Sequence, residues 1–199
     1  MLFRSLGGVV ERAAAQPFEH FVAEQVLAPL GIVAGEMSYN IPGAAYHAIG
    51  YLEKYSLMNL LKGLLIDLEL TGAYEGRWLR IQPHYVNGPA FGGLIGTARA
   101  FGKFLADQLR PASALFDAPT RAMFYEQQHI RAGAPVAMTP GWHVGKLGSH
   151  SHFFKEGGGG GFHCIMRVYK DADLATIVMA NATAFRSNAC LDVVDTPFL

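Results

Sequence analysis

The chain has 199 residues, 51% of them hydrophobic and 16% charged, with 16 Lys plus Arg set against 16 Asp plus Glu. That length suits one domain with a sizeable core. The neutral balance, with no basic stripe and no acidic tail, excludes a nucleic-acid partner and a charged disordered module. The charged fraction lies below the roughly 25% of an ordinary soluble domain, so the chain has more apolar surface than it covers easily alone. Cys164 and Cys190 are the only cysteines. They are too few for a disulfide framework and have no zinc spacing, so two free thiols are expected, with a single bridge left open. Nothing implies a cofactor or a metal. Met1 is followed by no secretory-type leader pattern, and the compartment stays open.

Leu6, Val9, Val10 and Ala13 recur at helical spacing, with Gly7 and Gly8 weakening the first helix. Pro17 suits the start of a second helix with Phe18, Phe21, Val22 and Val26 on its apolar face, stopped by Pro29, Leu30 and Gly31. Residues 32–50 read as irregular. Between Leu52 and Leu70, Leu57, Leu60, Leu61, Leu64, Leu65 and Leu68 make a broad stripe at helical period. It reads first as a core-facing helix. Because Lys54 and Lys62 sit on its polar side, it reads second as a helix resting on a membrane surface or a partner. Asn59, Lys62, Asp67 and Glu69 interrupt it too often for a membrane span.

Strand-like pieces follow around Trp78–Ile81, then a Gly/Pro-rich loop. Thr97 is an N-cap for a helix carrying Ala98, Phe101, Phe104, Leu105 and Leu109, and Asp117 with Pro119 opens a short one. From Gly141 the period changes to two. Strands are expected over 141–147, 151–156, 162–169 and 174–180, with a turn at Lys170–Asp173 and a closing amphipathic segment over 188–198. The layout is α+β: about 1–135 mainly helical and irregular, about 136–199 antiparallel strands and a closing helix.

The run Phe154-Lys155-Glu156 followed by Gly157 to Gly161 and Phe162 is the most informative stretch. A glycine run reads either as a mobile turn or as a strand edge left bare for a ligand to pair with. A phosphate loop is excluded, since the run leads into a strand and no Gly-Lys-Ser/Thr follows. His150 and His152 share a strand face but lack a third ligand. His163 and Cys164 point to opposite faces, which disfavours a Cys–His pair. Glu11, Asp67 and Glu75 read as solvated or capping carboxylates, and Asn181-Ala182-Thr183 as a chance sequon.

The glycine region resembles the third motif, Lys-Thr-Gly or His-x-Gly, of the serine β-lactamase, penicillin-binding-protein and related esterase superfamily. Further blocks are similar in the family's order: Gly8 to Arg12 with Gln16-Pro17-Phe18 and Leu27 to Gly31, Gly88 to Leu94 with Thr97-Ala98, Gly141-Trp142, and Val178 to Asn181. The resemblance implies a β-lactamase-like, penicillin-binding-transpeptidase-like fold and acyl transfer on an ester, peptide or β-lactam by a serine in Ser-x-x-Lys. Carried over, Lys155 is the third-motif cation and the Gly158 N–H an oxyanion donor. Gly157 keeps the strand edge clear, and Glu156 and Gly159 line the substrate. Glu156 departs from the family's small or hydroxyl residue. Tyr85 and Asn87 match a family triplet in letters but lie late in the chain, where they read as a pocket wall or as loop packing.

The departure that matters most is in the serines. Ser5, Ser38, Ser56, Ser113, Ser149, Ser151 and Ser187 are followed three residues on by Gly8, Ile41, Asn59, Phe116, His152, Phe154 and Cys190, never by lysine. The expectation is a C-terminal portion of such a hydrolase, catalytically incomplete alone. The absent front would supply two strands, and an exposed sheet edge would favour homo-oligomers. The alternative is a non-enzymatic ligand- or peptide-binding protein on the same fold, and the third reading is a membrane-surface module using the leucine stripe.

Overall fold

Helix α1 (Leu2–Ala14) stops where Ala15 turns left-handed, at φ 53°, and Pro17 restarts the chain as α2 (Phe18–Val22). The computed structural model describes residues 2–40, 43, 47–86 and 88–199. Helix α2 runs into a π-helical turn, Ala23–Leu27, and Gly31 at φ 66° ends that arm. Leu27 and Ile32 pack with Met37 and Ala100, so the N-terminal arm is held against the middle of the chain as well as against its own neighbours. Met37 lies in β1 (Met37–Ser38), which pairs antiparallel with β5 (Ile95–Gly96).

The segment read as one core-facing helix between Leu52 and Leu70 is a correction. Its start is strand β2 (Gly50–Glu53), and two four-residue helices follow, α3 (Leu57–Leu60) and α4 (Lys62–Leu65). Periodicity found the helical turns but chose the wrong face: Leu57, Leu60 and Leu64 are 70%, 79% and 83% exposed. Strands β3 (Thr71–Glu75) and β4 (Trp78–Ile81) complete a three-stranded antiparallel sheet in the order β2-β4-β3, whose small core is Leu52, Leu79 and Ile81.

Thr97 caps α5 (Ala98–Leu109) by accepting from the Ala100 N–H at 3.1 Å, and Asp117 caps α6 (Ala118–Tyr125) through the Thr120 N–H at 2.8 Å. The four-stranded sheet then runs in sequence order, β6 (His143–Leu147), β7 (His150–Gly159), β8 (Phe162–Tyr169) and β9 (Leu174–Ala180). Alternation sends Phe153, Met166, Val168, Ala175 and Ile177 to one face, where they meet Leu105 of α5 and Trp142. The other face receives the closing helix α7 (Ser187–Asp195), with Ile165 and Leu191 fully buried. The sheet is thus covered on both faces along β8.

Strand β7 is longer than the sequence reading, and Lys155 is not at its end. Gly157, Gly158 and Gly159 continue the strand, paired with Cys164, His163 and Phe162, and only Gly160 and Gly161 form the turn, at φ 58° and 86°. This turn is also a joint. The Tyr51 N–H donates to Gly161 O and to Asn181 O, both at 3.0 Å, and a Cβ placed on Gly161 would lie 2.4 Å from the Tyr51 nitrogen. Two glycine backbones, Gly50 and Gly161, are therefore what lets the small sheet touch the large one. A Gly161→Ala substitution is expected to cost about 1–3 kcal/mol of stability, read as a lowered urea midpoint, through both clash and backbone strain. Gly159→Ala, where an added Cβ meets nothing within 4 Å, should instead raise it, by about 0.5–1 kcal/mol of stability, because alanine loses less backbone freedom than glycine in a strand.

Candidate active site

The register of the large sheet leaves half of β7 with a free edge. Strand β6 pairs with His150 to Phe154 and then stops, so Lys155 to Gly159 are paired on the β8 side alone. Lys155 is exposed, and the described residues give it no ion-pair partner. By alternation it shares a face with Phe153, the side covered by α5, and the next two residues on that face are Gly157 and Gly159. A Cβ on either glycine would meet nothing within 4 Å. A lysine is thus followed along one strand face by two positions without side chains and without cover. Such a lane lets an extended acyl or peptide group lie against the backbone.

Gly158 faces the other way, where its added Cβ would meet Phe162 O at 3.1 Å and the His163 Nδ1 at 3.5 Å. Glu156 also faces that side. It is brought together not with Lys155 but with α7: Glu156 Oε1 lies 2.6 Å from His163 Nε2 and accepts from Ser187 Oγ at 3.1 Å. Ser187 Oγ lies 3.0 Å from the same His163 Nε2. This Ser–His–Glu cluster is not a charge-relay arrangement, because serine and carboxylate converge on one ring nitrogen rather than on two. A nitrogen that donates to Glu156 cannot accept the serine proton. The contacts fasten the start of α7 to β7 and β8, next to a cavity of about 430 Å³ lined by Glu156, Phe185, Arg186, Asn188 and Asp192 among others.

Tyr85 is half-exposed, its ring edge-on to His47 with centroids 6.4 Å apart. Its neighbour His84 lies against the glycine turn, 2.9 Å from where a Gly160 Cβ would stand, so the loop carrying Tyr85 passes the end of β7. Asn87 lies outside the described residues. A second cavity, of about 270 Å³, is lined by Tyr51, Glu75, Trp78, Asn181 and Ala182. Lys155 lines neither cavity. Both cysteines are free thiols. Burial pushes the Cys164 thiol up from its ordinary value, which disfavours the thiolate a nucleophile needs. Among the described residues no three His, Cys, Asp or Glu side chains form a metal-binding group.

Sequence reasoning missed the polar cluster under β8. Arg167 is 2% exposed and Asp195 fully buried; the guanidinium pairs with Asp195 at 3.2 Å and Asp192 at 2.8 Å, and donates to Asn188 O at 3.2 Å. Tyr169 donates its hydroxyl to Asp195 at 2.8 Å, and burial, then this hydrogen bond, pushes the phenol up to about 12. The signal was present: His163, Arg167 and Tyr169 stand at alternate positions of a strand with a buried opposite face, which demands polar partners on the covering helix. Beside them His152 is buried, and that burial, with the Arg167 charge, lowers its pKa.

The chain belongs to the beta-lactamase family, a family of serine hydrolases: the family model described as Beta-lactamase matches residues 3–193. Among solved structures it is similar to a D-amino acid amidase from Ochrobactrum anthropi SV3 complexed with L-phenylalanine, at TM-score 0.73 and 18% identity, covering 96% of this chain and 55% of that one. It is similar to the octameric penicillin-binding protein homologue from Pyrococcus abyssi, at TM-score 0.70 and 14% identity, covering 96% and 40%. It is also similar to a beta-lactamase/D-alanine carboxypeptidase from Pseudomonas syringae, at TM-score 0.64 and 14% identity, covering 96% and 56%. The likeness establishes a β-lactamase-like fold of helices and antiparallel sheets. The chain spans between 40% and 56% of the length of these structures. A comparison with curated proteins finds no match.

Two outcomes follow from the buried cluster. Asp195→Ala leaves the guanidinium short of its buried partner and should cost about 3–5 kcal/mol in chemical denaturation. His152 holds off a proton in the folded state that the unfolded chain takes up near pH 6.5. The unfolded state therefore binds more protons, and stability is expected to be complete above that pH and to fall as pH drops below it. A His152→Gln variant should flatten that part of the denaturation-midpoint profile.

Proposed function

We propose that the chain is the C-terminal part of a serine hydrolase that transfers an acyl group from a small ester, amide or peptide, and that it is catalytically incomplete by itself. The observation that carries this reading is the uncovered lane of Lys155, Gly157 and Gly159 on the unpaired half of β7. Lys155 offers a fixed cation to a substrate carboxylate or to an ionised nucleophile. The Gly158 N–H polarises the carbonyl under attack, a contribution of about 3 kcal/mol to the transition state. The attacking serine and its lysine come from polypeptide outside these 199 residues, since no serine here is followed by lysine at the third position. The chain's share of its structural relatives' length supports the same reading.

Strand β9 is the other edge. Among the described residues it pairs with β8 only, which leaves room for the two strands that the family sheet requires. The Tyr85 loop then forms part of the pocket wall beside the glycine turn. Glu156, directed to α7, serves the position of the strand rather than the substrate. The free edge favours one second reading, a non-enzymatic protein that binds a peptide or acyl ligand by strand addition beside Lys155. The same edge also offers a contact for homo-oligomers.

Fluorophosphonate and labelled-penicillin probes separate these readings. The 199-residue chain should remain unlabelled, and a longer polypeptide that carries a Ser-x-x-Lys in front of it should label stoichiometrically. In that longer protein Lys155→Ala should lower kcat/KM for short-chain esters by roughly a hundredfold. Stoichiometric labelling of the short chain would falsify its incompleteness, and an unchanged kcat/KM would remove Lys155 from the site.

A further inference from the structure

We infer that the seam between the large sheet and α7 is an acid-sensitive latch, with His152 as the group that releases it. His152 stands on β7 with its ring enclosed. It lies over the backbone of Gly145 on β6, where an added Cβ would come 2.6 Å from Nε2. On its other sides are the rings of Tyr169 and Phe154, at centroid distances of 4.9 and 5.8 Å. The imidazole is buried, and its Nδ1 makes no hydrogen bond within the protein. A ring so placed has no partner for the second N–H that protonation creates.

The charges around it are already paired. On β8, Arg167 is held by Asp195 at 3.2 Å and by Asp192 at 2.8 Å, and Tyr169 donates to Asp195 at 2.8 Å. Asp195 is fully buried, whereas the Asp192 side chain is 49% exposed and its charge is screened by water. The buried charges, Arg167 and Asp195, therefore cancel. A proton on His152 adds a buried cation that no buried anion answers. Desolvation, then the Arg167 charge, hold the His152 pKa down against the pull of the two aspartates. His150 on β7 and His143 on β6 stand half-buried on the same side and bring no negative charge. Lys170, just beyond β8, turns to the other face, over the Tyr125 ring at 3.6 Å.

Relief has one route. Strands β6, β7 and β8 are tied by backbone ladders, whereas α7 is held to the sheet through the side chains of Glu156, His163, Arg167 and Tyr169. When α7 lifts, His152 and Arg167 reach water, and Ser187 leaves Glu156 as well. The strand that carries Lys155 then loses its brace. The inference goes beyond the acyl-transfer reading and does not rest on it.

Native-state hydrogen exchange of the 199-residue chain in low urea, corrected for the intrinsic pH dependence of exchange, reads the latch. Between pH 7.5 and 5.5 the opening constant of α7, reported by Leu191 and Val194, should rise about tenfold, because the released imidazole takes up its proton near pH 6.5. This opening should depend weakly on urea, while Leu105 of α5 exchanges only through the steep urea dependence of global unfolding. His152→Gln and His152→Phe, each with native tryptophan fluorescence, should hold the α7 constant within about twofold over the same range. His163→Gln, which removes the imidazole beside Ser187, should keep the rise. No rise in the parent, a rise that survives both His152 variants, or a rise lost in His163→Gln overturns the inference. So does an α7 that matches α5 in protection and urea dependence, which would assign the pH effect to global unfolding. None of these outcomes bears on labelling by the fluorophosphonate probe.

Discussion

A strand without side chains cannot cover its own backbone, and the arrangement around β7 follows from that constraint. Leaving out Cβ atoms at Gly157 and Gly159 forgoes packing on the α5 face at the point where β6 has already ended. The backbone there is held by β8 alone. A structure that merely needed a turn would confine its glycines to Gly160 and Gly161, where φ is positive. Three further glycines inside the strand weaken it by roughly 0.5–1 kcal/mol each relative to alanine. In the proposed reading that cost leaves the strand open to a substrate, with Lys155 at the head of the uncovered face.

The opposite face compensates. Where β7 gives up packing, β8 is fixed by polar contacts to α7: Glu156, His163 and Ser187 at the helix start, and Arg167, Tyr169, Asp192 and Asp195 further along. Buried ion pairs contribute little net stability compared with apolar residues of the same shape, but they are costly to break singly. Their effect here is to set one position for α7 and, through Glu156, one position for the strand carrying Lys155. The glycine turn is pinned in turn by the backbone contact to Tyr51. The site's geometry therefore depends on the helix behind it and the small sheet beside it.

Much of this was legible in the residues. The period-two alternation from Gly141 onward located the four strands, and Thr97 and Asp117 marked two helix starts because a capping oxygen serves an N–H two or three residues away. Lys155 and its glycines stood out because such a run reads either as a mobile turn or as a strand edge left bare, and the order of the surrounding blocks favoured the second. Three features were beyond local pattern. The leucine stripe has helical period but no label for inside and outside; what decides the face is Asn59, whose partners Glu53 and Tyr74 are brought in by β2 and β3. The Glu156–Ser187 and Arg167–Asp195 contacts join residues 31 and 28 positions apart, and only the docking of α7 sets them. The extension of β7 through Gly159 depends likewise on pairing with β8, against glycine's own preference for irregular backbone.

The most direct test is a crystal structure of a longer polypeptide, bearing Ser-x-x-Lys in front of this chain, after reaction with a fluorophosphonate. The account predicts the phosphonyl group over the uncovered face of β7. One oxygen should lie within hydrogen-bonding distance of the Gly158 N–H, with the Lys155 ammonium beside it. An adduct seated elsewhere, with Lys155 still in open solvent and the β7 edge closed by another strand, would contradict it.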